Sequence, residues 1–148
     1  MASNLTSSEQ LMKDVVEAWG RADLAPFKAA VHDDIVWRSA ATTWNDRLRS
    51  GGVHRGKPAV MALLSKISTA FFNTHSTARE IVSKGEIVWG LFDYEAVYRP
   101  VGEPDRPARH VQFETAYRMR IHDGKIIEWQ SFFDTLGLLE EIAGPARA

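Results

Sequence analysis

The stretch Glu86-Ile-Val-Trp-Gly-Leu-Phe-Asp-Tyr-Glu-Ala-Val-Tyr98 belongs to the half of the chain, from Thr74 onward, in which apolar residues alternate. This alternation predicts β-strands over residues 76–83, 86–98, 108–122 and 125–134. Turns at 84–85 and 122–124 contain Gly, which readily adopts the positive φ of tight hairpins. Strands of roughly 12–15 residues exceed the usual length. We therefore expect the sheet to curl and to enclose a concave interior.

Helical periodicity dominates the residues before Thr74. Helices are predicted over residues 7–20, in a short segment after Asp23, from Lys57 onward and over 136–143, with a short strand at Ile35-Val-Trp37. Helices followed by an antiparallel meander predict an α+β fold. We expect a cone of three N-terminal helices packed on a strongly curved antiparallel sheet, closed by a short C-terminal helix. Residues 1–148 contain no repeat or linker, which predicts a single domain.

Composition narrows the possible functions. The 148 residues include no cysteine, and the net charge is -1 with basic residues spread along the chain. A nucleic-acid-binding face would need clustered basic residues, so we expect none. The five histidines lack metal-ligand spacing, and neither a metal nor a cofactor is predicted. The polar N-terminus does not resemble a signal peptide, and no apolar stretch is long enough to span a membrane. A cytoplasmic protein is expected.

Three stretches resemble the nuclear transport factor 2-like superfamily, especially its SnoaL-like, ketosteroid isomerase-like and limonene epoxide hydrolase-like members. They are Gly20-Arg-Ala-Asp23 through His32-Asp-Asp-Ile-Val-Trp37, then Val53-His-Arg-Gly-Lys-Pro-Ala-Val60, and Asp123-Gly-Lys-Ile-Ile-Glu-Trp129 through Asp134-Thr-Leu-Gly-Leu-Leu139. Their order and spacing cover nearly the whole chain. The resemblance implies a small-molecule pocket inside the cone and a homodimer formed through the outer face of the sheet. It does not imply one function, because a fold hosts many chemistries.

Asp134 is the strongest catalytic candidate. It follows Phe132-Phe133 at the end of a strand, and a carboxyl group among aromatic rings loses solvation and can become a general acid or base. SnoaL-like cyclases and limonene epoxide hydrolase have a catalytic Asp at a similar place in the last strand. The alternative is that Asp134 caps the helix over residues 136–143 by accepting a backbone N–H.

Other catalytic positions of these relatives are occupied by different residue types. The general-base Asp of ketosteroid isomerases falls at Ser39, their first-helix Tyr near Val15, and their protonated acid near Tyr117. The water-positioning Tyr and Asn of the epoxide hydrolase fall at Trp37 and Ser39, and its Arg falls at Leu91. Steroid isomerisation is therefore not expected. Tyr117 has two interpretations, as a donor to a developing oxyanion or as a packed ring.

Residues on the middle strands complete the candidate pocket. We expect Trp37, Phe113, Tyr117 and Trp89 to line the cone, although Trp89 is more typical of plain core. Asp93 is included as a substrate contact, with Glu95 on the same face; the alternative is that both are solvated. A register error of one residue would reverse these assignments. Glu114 is expected on the opposite face of the sheet from Phe113, where it would pair across strands with Arg79 or Arg99.

The sequence leaves open whether the protein is an enzyme. One hypothesis is a cofactor-independent isomerase, hydrolase, dehydratase or cyclase that acts on a small hydrophobic molecule, with Asp134 as general acid or base. The alternative is a non-catalytic ligand-binding or protein-interaction domain of the same fold. The polar loop over residues 39–56 is long enough to suggest a functional role, as a lid or a dimer contact, or it is disordered.

Overall fold

A single six-stranded sheet organises the chain, as seen in a computed structural model that describes residues 4–143. The helices are α1 (Ser7–Gly20), α2 (Ala25–Ala30), α3 (Lys57–Ser68) and α4 (Thr135–Ile142). The strands are β1 (Val31–Arg38), β2 (Val53–Arg55), β3 (Phe71–Lys84), β4 (Ile87–Tyr98), β5 (Arg109–His122) and β6 (Lys125–Phe132). Their order across the sheet is β2-β1-β6-β5-β4-β3. The predicted α+β fold is confirmed.

The first strand is longer than predicted, and one strand pair is parallel. β1 begins at Val31 instead of Ile35, and it runs parallel to β6, with Trp37 beside Trp129. A register shift between Val31 and Val36 interrupts this pairing. It accommodates the exposed Asp33 and Asp34, whose charges could not be buried beside the core. β2 was missed because its three residues lie inside the polar loop.

The alternation along β4 and β5 determines which side chains enter the core. Even-numbered residues of β4 from Val88 to Tyr98 are buried, as are the odd-numbered residues of β5 from Thr115 to Ile121. Gly90 faces α1 at close range, since a Cβ atom there would lie 2.5 Å from the Met12 sulfur. The helix therefore rests directly on the backbone of β4 at this point.

Two apolar clusters share the concave face of this sheet. The helix-packed half lies under α1, α2 and α3 and contains Met12, Val15, Phe27, Trp37, Val60, Leu64, Met119 and Trp129. The mouth half lies under α4 and the loop over residues 39–52 and contains Leu48, Phe71, Tyr94, Tyr98, Leu138 and Ile142.

The outer face of the sheet carries charged and aromatic side chains. The predicted cross-strand pair of Glu114 is confirmed, with Arg79 Nη1 at 2.5 Å from Glu114 Oε2. Trp89 and Phe132 stack on this face with ring centroids 5.7 Å apart. In residues 4–143 no helix has the length and apolar character needed to cross a membrane.

Candidate functional site

A cavity lies on the boundary between the two apolar clusters, and we call it the seam cavity. The cavity has a volume of about 60 Å³, which is more than one water molecule requires. The wall is largely aromatic and aliphatic, and both clusters contribute to it. The lining side chains are Trp19, Trp37, Ala40, Leu48, Ser50, Ile67, Phe71, Tyr94, Phe113, Thr115, Tyr117, Ser131, Phe133 and Leu138.

Four hydroxyl side chains reach the seam cavity from neighbouring strands. Tyr117 of β5 lies directly opposite Ser131 of β6, and Thr115 follows two residues away on the same face of β5. Tyr94 of β4 lies opposite Phe113. All four hydroxyl-bearing residues are buried. Because these strands are paired along their length, the sheet holds the four side chains in fixed relative positions.

Burial keeps the two tyrosines protonated. Loss of solvation raises the pKa of Tyr94 far above its usual range, and the nearby Tyr117 adds to the shift. Loss of solvation also raises the pKa of Tyr117, while a hydrogen bond with the Thr115 side chain opposes the shift. Both phenols are therefore neutral hydrogen-bond donors throughout the physiological pH range.

The loop over residues 39–52 forms one wall of the seam cavity through Ala40, Leu48 and Ser50. Asn45 orders the loop by accepting the backbone N–H groups of Arg47 and Leu48 at 3.0 Å. The buried Tyr98 hydroxyl donates to the Arg47 carbonyl at 3.0 Å. The loop is thus an ordered cover attached to the sheet.

Three of the predicted pocket residues line the seam cavity, and one lies elsewhere. Trp37, Phe113 and Tyr117 are in its wall. Asp93 points to the outer face, where its carboxylate lies 3.4 Å from Arg79 Nη1. The physical reason is the register of β4, which turns even-numbered residues inward and Asp93 outward. Trp89, expected inside the cone, shares this outward direction and is 41% exposed.

Asp134 lies in the chain between two lining residues of the seam cavity, Phe133 and Leu138. It is exposed and is the N-cap of α4, with its Oδ1 accepting the Gly137 backbone N–H at 2.8 Å. Gly137 leaves room for this contact, since a Cβ atom there would lie 2.3 Å from Asp134 Oδ2. The capping interaction considered above is present, and Asp134 is not part of the cavity wall.

Several lining residues were missed by the sequence analysis, among them Tyr94, Thr115 and Ser131. A signal for Tyr94 was available, because the charged residues of β4, Asp93 and Glu95, both occupy odd positions. The even positions are uncharged throughout and so were the better candidates for burial. Within residues 4–143 no group of three His, Asp or Glu side chains is arranged to hold a metal ion.

A family model describing the SnoaL-like domain matches residues 12–129 of the chain. This agrees with the resemblance inferred from the sequence motifs. Among functionally curated proteins, none matches the sequence significantly.

Solved structures with the same fold align over nearly the whole chain. An NTF2-like protein of unknown function from Burkholderia pseudomallei is 21% identical, with a TM-score of 0.79 over 95% of this chain and 100% of that one. TerC, co-crystallised with polyporic acid, is 17% identical, with a TM-score of 0.77 over 94% and 100% of the two chains. IdmH from Streptomyces antibioticus, named as a candidate polyketide cyclase, is 18% identical, with a TM-score of 0.76 over 94% and 100%. At these identities the similarity establishes the fold alone.

Proposed function

Because the chain belongs to the SnoaL-like domain family, we propose that it binds a small hydrophobic organic molecule in the seam cavity. The observation that carries this proposal is the composition of the cavity wall, which is aromatic and aliphatic with a few convergent hydroxyl groups. Ligand sites in proteins commonly have this character. TerC with polyporic acid shows that a protein of this fold was crystallised with an organic ligand.

Ligand binding is better supported than acid–base catalysis by the seam cavity itself. Within residues 4–143, the lining side chains include no carboxylate and no imidazole. Proton transfer most often uses such a group within reach of the ligand, and the raised pKa values of Tyr94 and Tyr117 make these phenols poor bases. The lining residues are therefore sufficient for ligand binding, whereas catalysis would need a group from outside the cavity wall.

A catalytic role for Asp134 is the second candidate, and it is favoured by the position of Asp134 next to the lining residue Phe133 in the chain. A ligand that protruded from the seam cavity past Phe133 would approach the Asp134 carboxylate. The substrate class would be the same small hydrophobic molecules, and the reaction an isomerisation, hydration, dehydration or cyclisation without a cofactor.

Asp134→Asn separates catalysis from capping. Asn is as good an N-cap as Asp, whereas Ala is much poorer. If Asp134 transfers protons, the Asn variant loses turnover by about 10²-fold or more in a screen of hydrophobic substrates, while its unfolding free energy changes little. Asp134→Ala is the matched control and should cost about 1 kcal/mol of stability. Turnover that Asp134→Asn leaves intact would exclude the catalytic role.

We also propose that the outer face of the sheet forms a homodimer. Trp89, Phe132 and Val82 expose apolar surface there, beside the acidic residues Asp93 and Glu114. Phe132→Glu should convert a dimer into monomers, as measured by light scattering of the eluting protein. Trp44→Glu, at an exposed tryptophan of the loop, is the control and should leave the mass unchanged. A single-chain mass for the wild-type protein would contradict the proposal.

A further inference from the structure

We infer that the seam cavity selects an uncharged cyclic molecule bearing a ketone or phenol oxygen and rejects carboxylates of the same size. This inference rests on the proposed binding function and specifies the ligand chemistry. It follows from the polar groups of the wall, which share one property. Every one of them within residues 4–143 is uncharged.

The side-chain oxygen atoms of the lining residues are all hydroxyl groups. They belong to Ser50, Tyr94, Thr115, Tyr117 and Ser131. Each hydroxyl can donate one hydrogen bond and accept others. The site can therefore donate to a carbonyl oxygen, and it can exchange hydrogen bonds with a phenol.

Two of these hydroxyl groups make no hydrogen bond to another protein group within residues 4–143. Ser50 Oγ is hydrogen-bonded to Ser39 Oγ at 3.3 Å, and Tyr117 interacts with Thr115. By contrast, the hydroxyl groups of Tyr94 and Ser131 have no protein partner among the residues that the structure describes. Tyr94 is only 8% exposed. An apolar ligand that covered these hydroxyl groups would leave them without partners, which is costly, whereas a ligand oxygen that reached them would supply a partner.

The same wall disfavours a charged ligand. A carboxylate that entered the seam cavity would lose its hydration, and the lining residues offer no Lys, Arg or His as a counter-charge. Burial of an unpaired charge costs far more than burial of a hydrogen-bonded neutral group. A plain hydrocarbon avoids this cost but leaves the Tyr94 and Ser131 hydroxyl groups without partners.

Titration calorimetry with three matched bicyclic probes tests the inference on the wild-type protein. The probes are indane, 1-indanone and indane-1-carboxylate, which share a ring system and differ in the polar group. We expect 1-indanone to bind about 3–10-fold more tightly than indane, the gain expected of one hydrogen bond. The carboxylate should bind at least about 10-fold more weakly than the ketone.

The possible outcomes separate this inference from the proposed function. If indane binds as tightly as 1-indanone, or if the carboxylate binds as tightly as the ketone, the inference is overturned and binding in the cavity stands. If no probe binds, both are overturned.

Tyr→Phe variants identify the hydroxyl groups responsible. Tyr94→Phe and Tyr117→Phe keep the ring and remove only the donor, so the ratio of ketone to indane affinity should fall toward one in at least one of them. Ser83→Ala is the control, since the Ser83 hydroxyl is hydrogen-bonded to the Glu9 carboxylate away from the cavity wall, and its ratio should stay at the wild-type value. The ratio cancels any general effect on folding. A ratio that survives the combined Tyr94→Phe and Tyr117→Phe change would overturn the assignment to these tyrosines.

Discussion

The helix-packed half and the mouth half share one sheet but are covered in different ways. Three helices cover the first half, and its rings pack closely, with the Trp37 and Trp129 centroids 4.6 Å apart and the rings nearly parallel. A loop and the eight-residue helix α4 cover the second half. The seam cavity lies where the helices end and the loop begins. Its position follows from which element covers the sheet.

The largest difference between the halves should appear on removing a central ring. Trp129→Ala empties a fully buried position in contact with Trp37, Phe27 and Tyr117. We expect a loss of about 3–5 kcal/mol of unfolding free energy, measured by urea denaturation. Trp129→Phe should cost less, because Trp129 Nε1 has no hydrogen-bond partner within residues 4–143.

Trp44→Ala in the mouth half provides the contrast for this prediction. Trp44 is exposed, and Lys66 Nζ lies 5.1 Å from its ring centroid. Loss of a cation–π contact at an exposed site should cost below about 1 kcal/mol. Equal losses for Trp129→Ala and Trp44→Ala would break the distinction between a filled half and a loosely covered one.

A smaller effect is expected where the mouth half is attached to its loop. Tyr98→Phe removes the hydrogen bond to the Arg47 carbonyl and should cost about 1 kcal/mol. Trypsin should also cleave faster after Arg47 or Arg49, since the loop loses an anchor. Tyr94→Phe is the control, because no protein hydrogen bond in residues 4–143 is lost with its hydroxyl. Unchanged proteolysis in Tyr98→Phe would mean that the other contacts of the loop are sufficient to hold it.

The smallest effect concerns a charge pair between two hairpin turns of the helix-packed half. A hydrogen bond that the His122 ring donates to the Glu86 carboxylate raises the pKa of His122 above its usual 6.5, and Asp123 adds to the shift. A raised pKa in the folded state means that the pair stabilises the fold below about pH 6.5 and loses this effect as pH rises through the folded pKa.

Proton NMR of the His122 ring measures this shift directly. The midpoint of its titration should lie above 6.5 in the wild-type protein and fall in Glu86→Gln. His122 is exposed, so the consequence for overall stability should be slight. Identical midpoints in the two proteins would show that Glu86 does not hold the imidazolium.

Local patterns in the sequence were sufficient for much of the fold. The bounds of α1 match the prediction at both ends, since the apolar stripe stops at Gly20. The β5–β6 hairpin was predicted from Asp123-Gly124, and both residues adopt the positive φ that this turn requires. These features depend on residues close together in the chain, so the sequence alone determines them.

Features that depend on distant pairing or on a single register were harder to predict. The parallel pairing of β1 with β6 leaves no local pattern, and Asp93 was placed inside although β4 turns it outward. Trp89 is apolar yet lies on the outer face, so its apolar character did not indicate which face of the sheet it occupies. For Asp134, capping and acid–base chemistry require the same residue at the same place, so the sequence alone could not distinguish them.

The parallel contact between β1 and β6 has a consequence for how the chain can be divided. It joins segments that are far apart, as does the hydrogen bond from Lys125 Nζ to the Ala29 carbonyl across 96 positions. Each hairpin of the meander joins residues that are close in the chain. The pairing of β1 with β6 closes a much longer loop, so it costs more conformational entropy. Trp37 and Ser131 contribute neighbouring parts of one wall from these two segments. A fragment that lacks one of these two segments therefore lacks part of the wall of the seam cavity, however well its remaining strands pair.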